Sequence, residues 1–370
     1  MTIAASPLYP YSAVLVASYG GPDKPEDVLP FMRNATAGKN IPDERLLEVS
    51  EHYMLFGGKS PINEENQALM EALRGELTRR GLEAPVVIGN RNWHPFHAET
   101  VGALIASGHT RVLGLPTSAY HSYSGCRQYG EDLERAMERA DHRIQIDRVA
   151  PFAQSEGFIQ AQIEVATRAF TTLREQEPEG TLRVVFTTHS IPLTMNEASG
   201  DGSPGCTYRE QHLRVASAVA AGLERALGET IEWDLAYSSR SGPAYVPWLE
   251  PDVNDLIAQL PEEGVTGTVV VPIGFISDHM EVLFDLDTEA RASAAEYGLA
   301  FIRAATVGTH PAFISMLVDR LLERAAVARG EGSAEARQTY AHGFDCCHQR
   351  SVETAGTTAT QRHTSTHEPH

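Results

Sequence analysis

Short apolar runs recur eight times along the chain, over residues 13–18, 85–89, 111–116, 144–150, 182–188, 231–237, 267–273 and 300–305. Most are rich in β-branched residues and bounded by turn formers, the pattern of strands buried on both faces. Between most of them, apolar positions fall at helical spacing and predict amphipathic helices over 63–80, 127–140, 156–174, 208–227 and 281–297. Strand alternating with helix in this way predicts βαβ units and parallel sheets. Eight strands fit either one closed barrel or two four-stranded doubly wound sheets. Two long irregular inserts, 20–60 after the first strand and 190–206 after the fifth, favour two lobes with a cleft. From about residue 330 the pattern stops. "SVETAGTTATQRHTSTHEPH" cannot bury enough apolar surface to fold, and a disordered tail is expected there.

Composition narrows the function more than the fold. The 370 residues suggest two domains. A net charge of −19 and a pI near 5.2 argue against a nucleic-acid partner, which requires a basic face. No window of ~18 apolar residues exists, so no membrane span is expected. The first apolar run lacks a preceding basic region, which reads as no signal peptide and a cytoplasmic protein. The four cysteines form no CxxC, and a disulfide framework is not expected. Neither a P-loop nor a GxGxxG after a strand is present, so nucleotide binding has no support.

Candidate chemistry gathers at strand ends. The fifth strand runs into "TTHSIP", where Pro192 blocks continuation and displays His189 at the carboxyl edge. Open α/β sheets bind ligands at that edge. A histidine there serves as a metal ligand, a base, or a loop residue bonded to backbone. The seventh strand runs into "GFISDHMEVLFDLDTEA", where Glu281, Asp285 and Glu289 are spaced i, i+4, i+8 and share one helix face, with Asp278 near the same stripe. Such a stripe is either a solvated acidic face or a path for a hard divalent cation. The first strand ends at Tyr19, before the turn Gly20-Gly21-Pro22. In "EHYMLFGGKSPINEEN", Tyr53 and a Gly pair precede Ser60-Pro61, placed as N-cap and first residue of a helix. Arg33, Lys39, Arg45, Lys59, Arg91 and Arg127 lie in the segments expected around the cleft.

Together, "SYGGP", "YMLFGGKSPI", "TTHSIP" and "PIGFISDHMEVLFDLDTEA" resemble the ferrochelatases, which insert ferrous iron into a porphyrin. The similarity runs in family order from about 13 to 322. "IGNRNWHP" and "SAYHSYSGCRQYGEDL" are similar to the actinobacterial branch, whose members act on coproporphyrin III. The resemblance implies two Rossmann-like lobes, each a four-stranded parallel sheet flanked by helices. An N-terminal lobe would span 10–118 and be closed by 304–329. A second lobe, 119–303, would carry the metal-handling residues, and 330–370 would be a mostly disordered tail. His189 and Glu281 would be catalytic and would hold the Fe2+ substrate, with Asp285 and Glu289 as a secondary carboxylate path. Tyr19, Tyr53, Ser60 and Tyr129 would contact the porphyrin. No organic cofactor is implied, and the family expectation is a monomer.

Rival readings are a protoporphyrin IX ferrochelatase, a cobalt chelatase of the same fold, and a non-catalytic haem or tetrapyrrole carrier. The many charges between 23 and 51 favour a soluble tetracarboxylate substrate over an apolar lip. Actinobacterial relatives also carry a 2Fe–2S cluster on one internal and three C-terminal cysteines. Cys126 matches the internal ligand, and Cys346 and Cys347 supply two more. The fourth would be improvised from Cys206, His348 or Asp345; otherwise the cysteines are free thiols.

Overall fold

A computed structural model describes residues 6–38, 41–200, 202–203, 205–242, 245–341 and 346–347. All eight expected strands are present: β1 (Val14–Ser18), β2 (Val86–Asn90), β3 (Arg111–Pro116), β4 (Gln145–Arg148), β5 (Leu182–His189), β6 (Trp233–Ser238), β7 (Gly267–Val271) and β8 (Ala300–Arg303). They form two parallel four-stranded sheets, ordered β2-β1-β3-β4 and β6-β5-β7-β8. The expected boundary at 118 is therefore corrected. β4 pairs with β3, so the first lobe continues through residue 148.

In the first lobe the helices are α1 (Pro25–Ala35), α2 (Asp43–Met54), α3 (Ile62–Arg79), α4 (His97–Ala106) and α5 (Gln128–Glu138). The second carries α6 (Glu156–Gln176), α7 (Leu193–Glu197), α8 (Tyr208–Leu227), α9 (Val253–Gln259) and α10 (Arg291–Glu296). Two more, α11 (Pro311–Ala328) and α12 (Ala334–Ala341), follow. Successive strand residues face opposite sides, so each central strand feeds two cores. Val14 and Val16 of β1 pack in the large core with Leu69 and Leu73 of α3, while Leu15 and Ala17 pack with Val101 and Leu133 of α4 and α5. In β5, Val184 and Phe186 face α6 and α8, and Val185 faces α9.

The lobes share one apolar core. α11 buries Phe313, Leu317 and Leu321 and packs against both α3 and α6, so it braces the two lobes rather than closing the first. Phe152, Phe158 and Phe313 form a ring cluster with centroids 5.8–6.1 Å apart. Tyr120, after β3, donates to the Ile273 carbonyl after β7 at 3.0 Å and stacks on His212 of α8 at 3.6 Å. Burial holds His212 down at about 3, so this interface carries no imidazolium.

Two expectations about irregular segments change. The insert after β1 holds α1 and α2, which pack on each other through Val28, Phe31, Met32 and Leu46. The start of the expected tail is α12, docked on α11 with Ala336 buried and the Tyr340 ring 5.0 Å from the Arg324 guanidinium. Residues 342–345 and 348–370, including His348 and Asp345, lie outside the described part.

Candidate active site

His189 is the last residue of β5, and the backbone around it is fixed on three sides. The Ser190 amide donates to the Ser238 carbonyl at 2.8 Å, and the Ser190 hydroxyl to the Leu249 carbonyl at 2.8 Å. Tyr208 donates to the His189 carbonyl at 3.2 Å. The ring is fixed as well. His189 Nδ1 faces the Ser190 carbonyl in a short hydrogen bond, and a carbonyl only accepts, so Nδ1 carries the proton. In the neutral ring Nε2 is then the atom with the lone pair, and it faces Glu281 with Nε2···Oε2 at 3.9 Å. That gap is too long for a direct hydrogen bond and leaves both groups open to a third partner.

Glu281 reaches this place because the loop after β7 crosses the end of β5. A Cβ at Gly274 would lie 2.1 Å from Thr188 Oγ1, so only glycine permits the crossing. Beyond Glu281 the chain forms a wide-turn π-helix, Val282–Ala290, which continues into α10. Its i→i+5 bonding widens the turn, and π-helical turns are common at functional sites. Glu281 is exposed and Asp285 half-buried. Ser239, in a left-handed backbone (φ 61) just past β6, donates a short hydrogen bond to Asp285. Burial raises Asp285 from the ordinary carboxylate range to about 7, with Glu281 and Glu289 adding to it and the Ser239 hydrogen bond opposing. Burial also raises Glu289, against the pull of His52. His52 of α2 stacks on Phe284 at 3.9 Å and so brings the first-lobe insert over the acidic helix. His279 is lowered, chiefly by burial.

Asp278 is a correction. It is bound by Arg303, which also holds Asp287, and by the Thr306 hydroxyl, so it stabilises the loop and is withdrawn from the acidic stripe.

Tyr19 leaves β1 on the opposite wall with its ring 40% exposed. Its phenol is raised, first by desolvation and then by the Glu281 charge, and Tyr53 is raised for the same two reasons. Both hydroxyls therefore sense Glu281 across the cleft. Phe31 supports both rings, each at 6.1 Å. Ser60 is buried behind this wall, its amide donating to the Pro22 carbonyl at 3.0 Å. A Cβ at Gly58 (φ +73) would lie 2.5 Å from Pro25 Cα, so Gly58 serves a backbone crossing at the start of α1.

Tyr129 does not line the cleft. It is buried in the core with Leu133 and Ala136, and its ring carries the Arg91 guanidinium at 4.2 Å. Arg91 is in turn paired with Asp132. The other described cations expected to meet substrate are paired too: Arg33 with Asp43, Arg45 with Glu48, Lys59 with Glu64 and Arg127 with Glu131. Lys39 lies outside the described residues. Nor is the rim of the insert wholly polar, because Ile41, Leu47, Met54 and Leu55 are exposed. No described helix is long and apolar enough to cross a membrane.

The cysteines gather at a separate place, where the link after β3, the short π-turn Tyr123–Arg127 and the C-terminal segment meet. Cys126 Sγ lies 3.7 Å from Cys346 Sγ, and Cys346 Sγ lies 3.6 Å from His121 Nδ1. The Cys347 thiol interacts with both other sulfurs and accepts from the Gly200 amide at 3.3 Å. A two-iron cluster gives each iron two protein ligands and two bridging sulfides, so its four ligands form two separated pairs. Among the described residues, His121 Nδ1, Cys126 Sγ and Cys346 Sγ converge within 4.8 Å of one another instead of forming two separated pairs, and this arrangement does not fit such a cluster.

The ferrochelatase family profile matches residues 11–325. A coproporphyrin III ferrochelatase of Leifsonia xyli subsp. xyli is 50% identical over 329 residues, covering 85% of this chain and 84% of the relative. One from Streptomyces coelicolor is 44% identical over 329 residues, covering 87% and 88%. Among solved structures, the sirohydrochlorin chelatase SirB of Bacillus subtilis subspecies spizizenii in complex with cobalt has a TM-score of 0.49 at 14% identity, covering 87% of this chain and 98% of its own.

Proposed function

The chain belongs to the ferrochelatase family, and from that premise we propose that it inserts ferrous iron into coproporphyrin III, releasing two protons and forming iron coproporphyrin III. The observation that carries this reading is His189 Nε2 facing Glu281 at 3.9 Å, with Nδ1 held by the Ser190 carbonyl and with Tyr19 and Tyr53 within reach of the Glu281 charge. Metallation needs a base for two pyrrole N–H protons and a ligand that strips water from iron. A neutral imidazole does either, and its lone pair is already aimed. Glu281 holds the hydrated ion or takes the second proton. Asp285, raised to about 7, accepts protons from Glu281 near neutral pH, and Glu289 extends the route toward solvent. Tyr19 and Tyr53, both kept neutral, provide an uncharged wall for the macrocycle face.

The choice of coproporphyrin rests on the named activity of the relatives at 50% and 44% identity. The charged insert adds little, since its cations are paired and its rim carries apolar side chains. Described cysteines that form no disulfide suit a reducing cytoplasm. The reading takes the enzyme as a monomer and routes no step through the cysteine site.

The test is anaerobic turnover. Ferrous iron is mixed with catalytic protein and an excess of coproporphyrin III or protoporphyrin IX, and the Soret band is followed. Multiple turnovers with coproporphyrin III, well above those with protoporphyrin IX, are expected. Stoichiometric binding without turnover would make the protein a carrier. Preference for protoporphyrin IX, or for cobalt over iron, would refute the substrate assignment.

A further inference from the structure

The geometry points to a mononuclear metal site, made by Cys126, Cys346, Cys347 and His121, that takes one tetrahedral divalent ion, zinc by its donor set, in place of an iron–sulfur cluster. His121 Nδ1, Cys126 Sγ and Cys346 Sγ all lie within 4.8 Å of one another. A tetrahedral zinc with Zn–S of about 2.3 Å and Zn–N of about 2.05 Å sets its ligand atoms about 3.8 Å (S···S) and about 3.6 Å (S···N) apart. The observed edges are 3.7 Å for Cys126 to Cys346 and 3.6 Å for Cys346 to His121. With two edges at tetrahedral length and the third within 4.8 Å, the three donors converge on one ion and do not form the separated pairs that two bridged irons require. Cys347 touches both sulfurs but stands outside the three donors that lie within 4.8 Å of one another; drawn in by the ion, it would make the set Cys3His, which is a structural zinc set.

The surroundings are built for thiolates. The Gly200 amide donates to Cys347, the orienting bond that metal thiolates receive from an outer shell. Arg148, half-buried and bonded to the Cys126 carbonyl at 2.8 Å, places its positive charge by the Cys126 and Cys346 sulfurs. Cys347 keeps a left-handed backbone (φ 60) that a non-glycine residue adopts only when its surroundings demand it. Gln211 fixes the His121 backbone in both directions, accepting from its amide at 3.0 Å and donating to its carbonyl at 3.3 Å. Cys206, just before α8, packs against Gly200 and, like Cys347, stands outside the three converging donors; its sulfur has no contact with the Cys126 or Cys346 sulfur of the kind Cys347 makes. The ion would fasten three elements: the link after β3, the loop at Gly200 that follows His189, and the C-terminal segment.

The full chain is purified anaerobically from cells supplied with both iron and zinc, and metal and acid-labile sulfide are counted before any porphyrin is added. The Glu281→Gln protein is counted alongside, to separate this site from the catalytic cleft. The expected result is one zinc per chain in both proteins, no sulfide, and no visible absorbance. Cobalt exchange should give thiolate-to-cobalt bands of a tetrahedral site, and X-ray absorption three sulfurs and one nitrogen. Cys126→Ser and Cys346→Ser should lose the ion, His121→Ala should release it to a weaker chelator, and Cys206→Ser should keep it. Two irons and two sulfides per chain, with colour bleached by dithionite, would overturn the assignment. So would a wild-type chain that keeps no metal. One iron without sulfide would overturn the choice of zinc. Loss in Cys206→Ser with retention in His121→Ala would remove His121 from the set. None of these counts depends on turnover, so their failure leaves iron insertion untouched.

Discussion

Asp285→Asn should stabilise the fold, and by an amount that grows with pH. Asp285 is raised from 3.8 to about 7, chiefly by burial. In the unfolded chain it ionises near its ordinary value. Between those values the folded protein binds one more proton than the unfolded chain, so the stability it contributes falls as pH rises. The slope is about 1.4 kcal/mol per pH unit, and the full loss above pH 7 is up to about 4 kcal/mol. Asparagine keeps the shape and can still accept from Ser239, but never ionises. The variant's advantage over wild type should therefore widen by about 2 kcal/mol between pH 5.5 and 8.5 and level off above about pH 8. Urea unfolding of both proteins across that range, without divalent cations, measures it. A difference that stays constant with pH would mean that Asp285 is ionised throughout and solvated, and the proton route through it would fall.

Three further outcomes follow from the same geometry. His189→Ala should abolish iron insertion while coproporphyrin binding, read by Soret titration, stays within about tenfold, because the strand end is held by backbone bonds that survive the change; near-normal turnover would make His189 structural. Glu281→Gln should lower kcat more than Glu289→Gln, since Glu281 alone faces Nε2 and Glu289 is two turns away; equal, slight losses would return the acidic helix to a solvated face. Arg303→Gln should cost about 3 kcal/mol in denaturant unfolding, because Asp278 and Asp287 are left half-buried without their cation; a cost below about 1 kcal/mol would mean that water replaces it.

What the sequence revealed depended on how much of each segment is buried. The strands were legible because both faces are covered and their apolar runs are unbroken. α3, α6 and α8 were legible because each buries a full stripe. α1 and α2 were not, since they bury mainly one another: α2 hides only Leu46 and Ser50, and α1 begins at one proline and contains Pro30. α12 was missed because it docks through a small alanine and one tyrosine. His189 and Glu281 were legible as candidates because strand ends are where a parallel sheet presents side chains, and the structure brings the two within 3.9 Å. Tyr129 was misplaced although its spacing with Leu133 and Ala136, i, i+4, i+7, is a core stripe. Ser239 and His121 left no local signal. One meets Asp285 from the end of β6, across β5 from β7, and the other meets cysteines more than two hundred residues away. The boundary at 118 failed because nothing local shows which sheet a strand will join.

The bond from His189 Nδ1 to the Ser190 carbonyl constrains the order of events. A histidine that shuttles protons by turning its ring loads one nitrogen and unloads the other. Here one nitrogen is committed, and turning would break its bond inside a strand end held on three sides. The imidazole is a single-port device: whatever arrives at Nε2 must depart from Nε2. Proton and iron then compete for one lone pair and take turns at it. In the proposed reaction, a pyrrole proton taken at Nε2 has to leave before that atom can ligate the metal, unless Glu281 takes the proton directly. On that proposal turnover would be a queue at one atom, paced by how fast the acidic helix empties it.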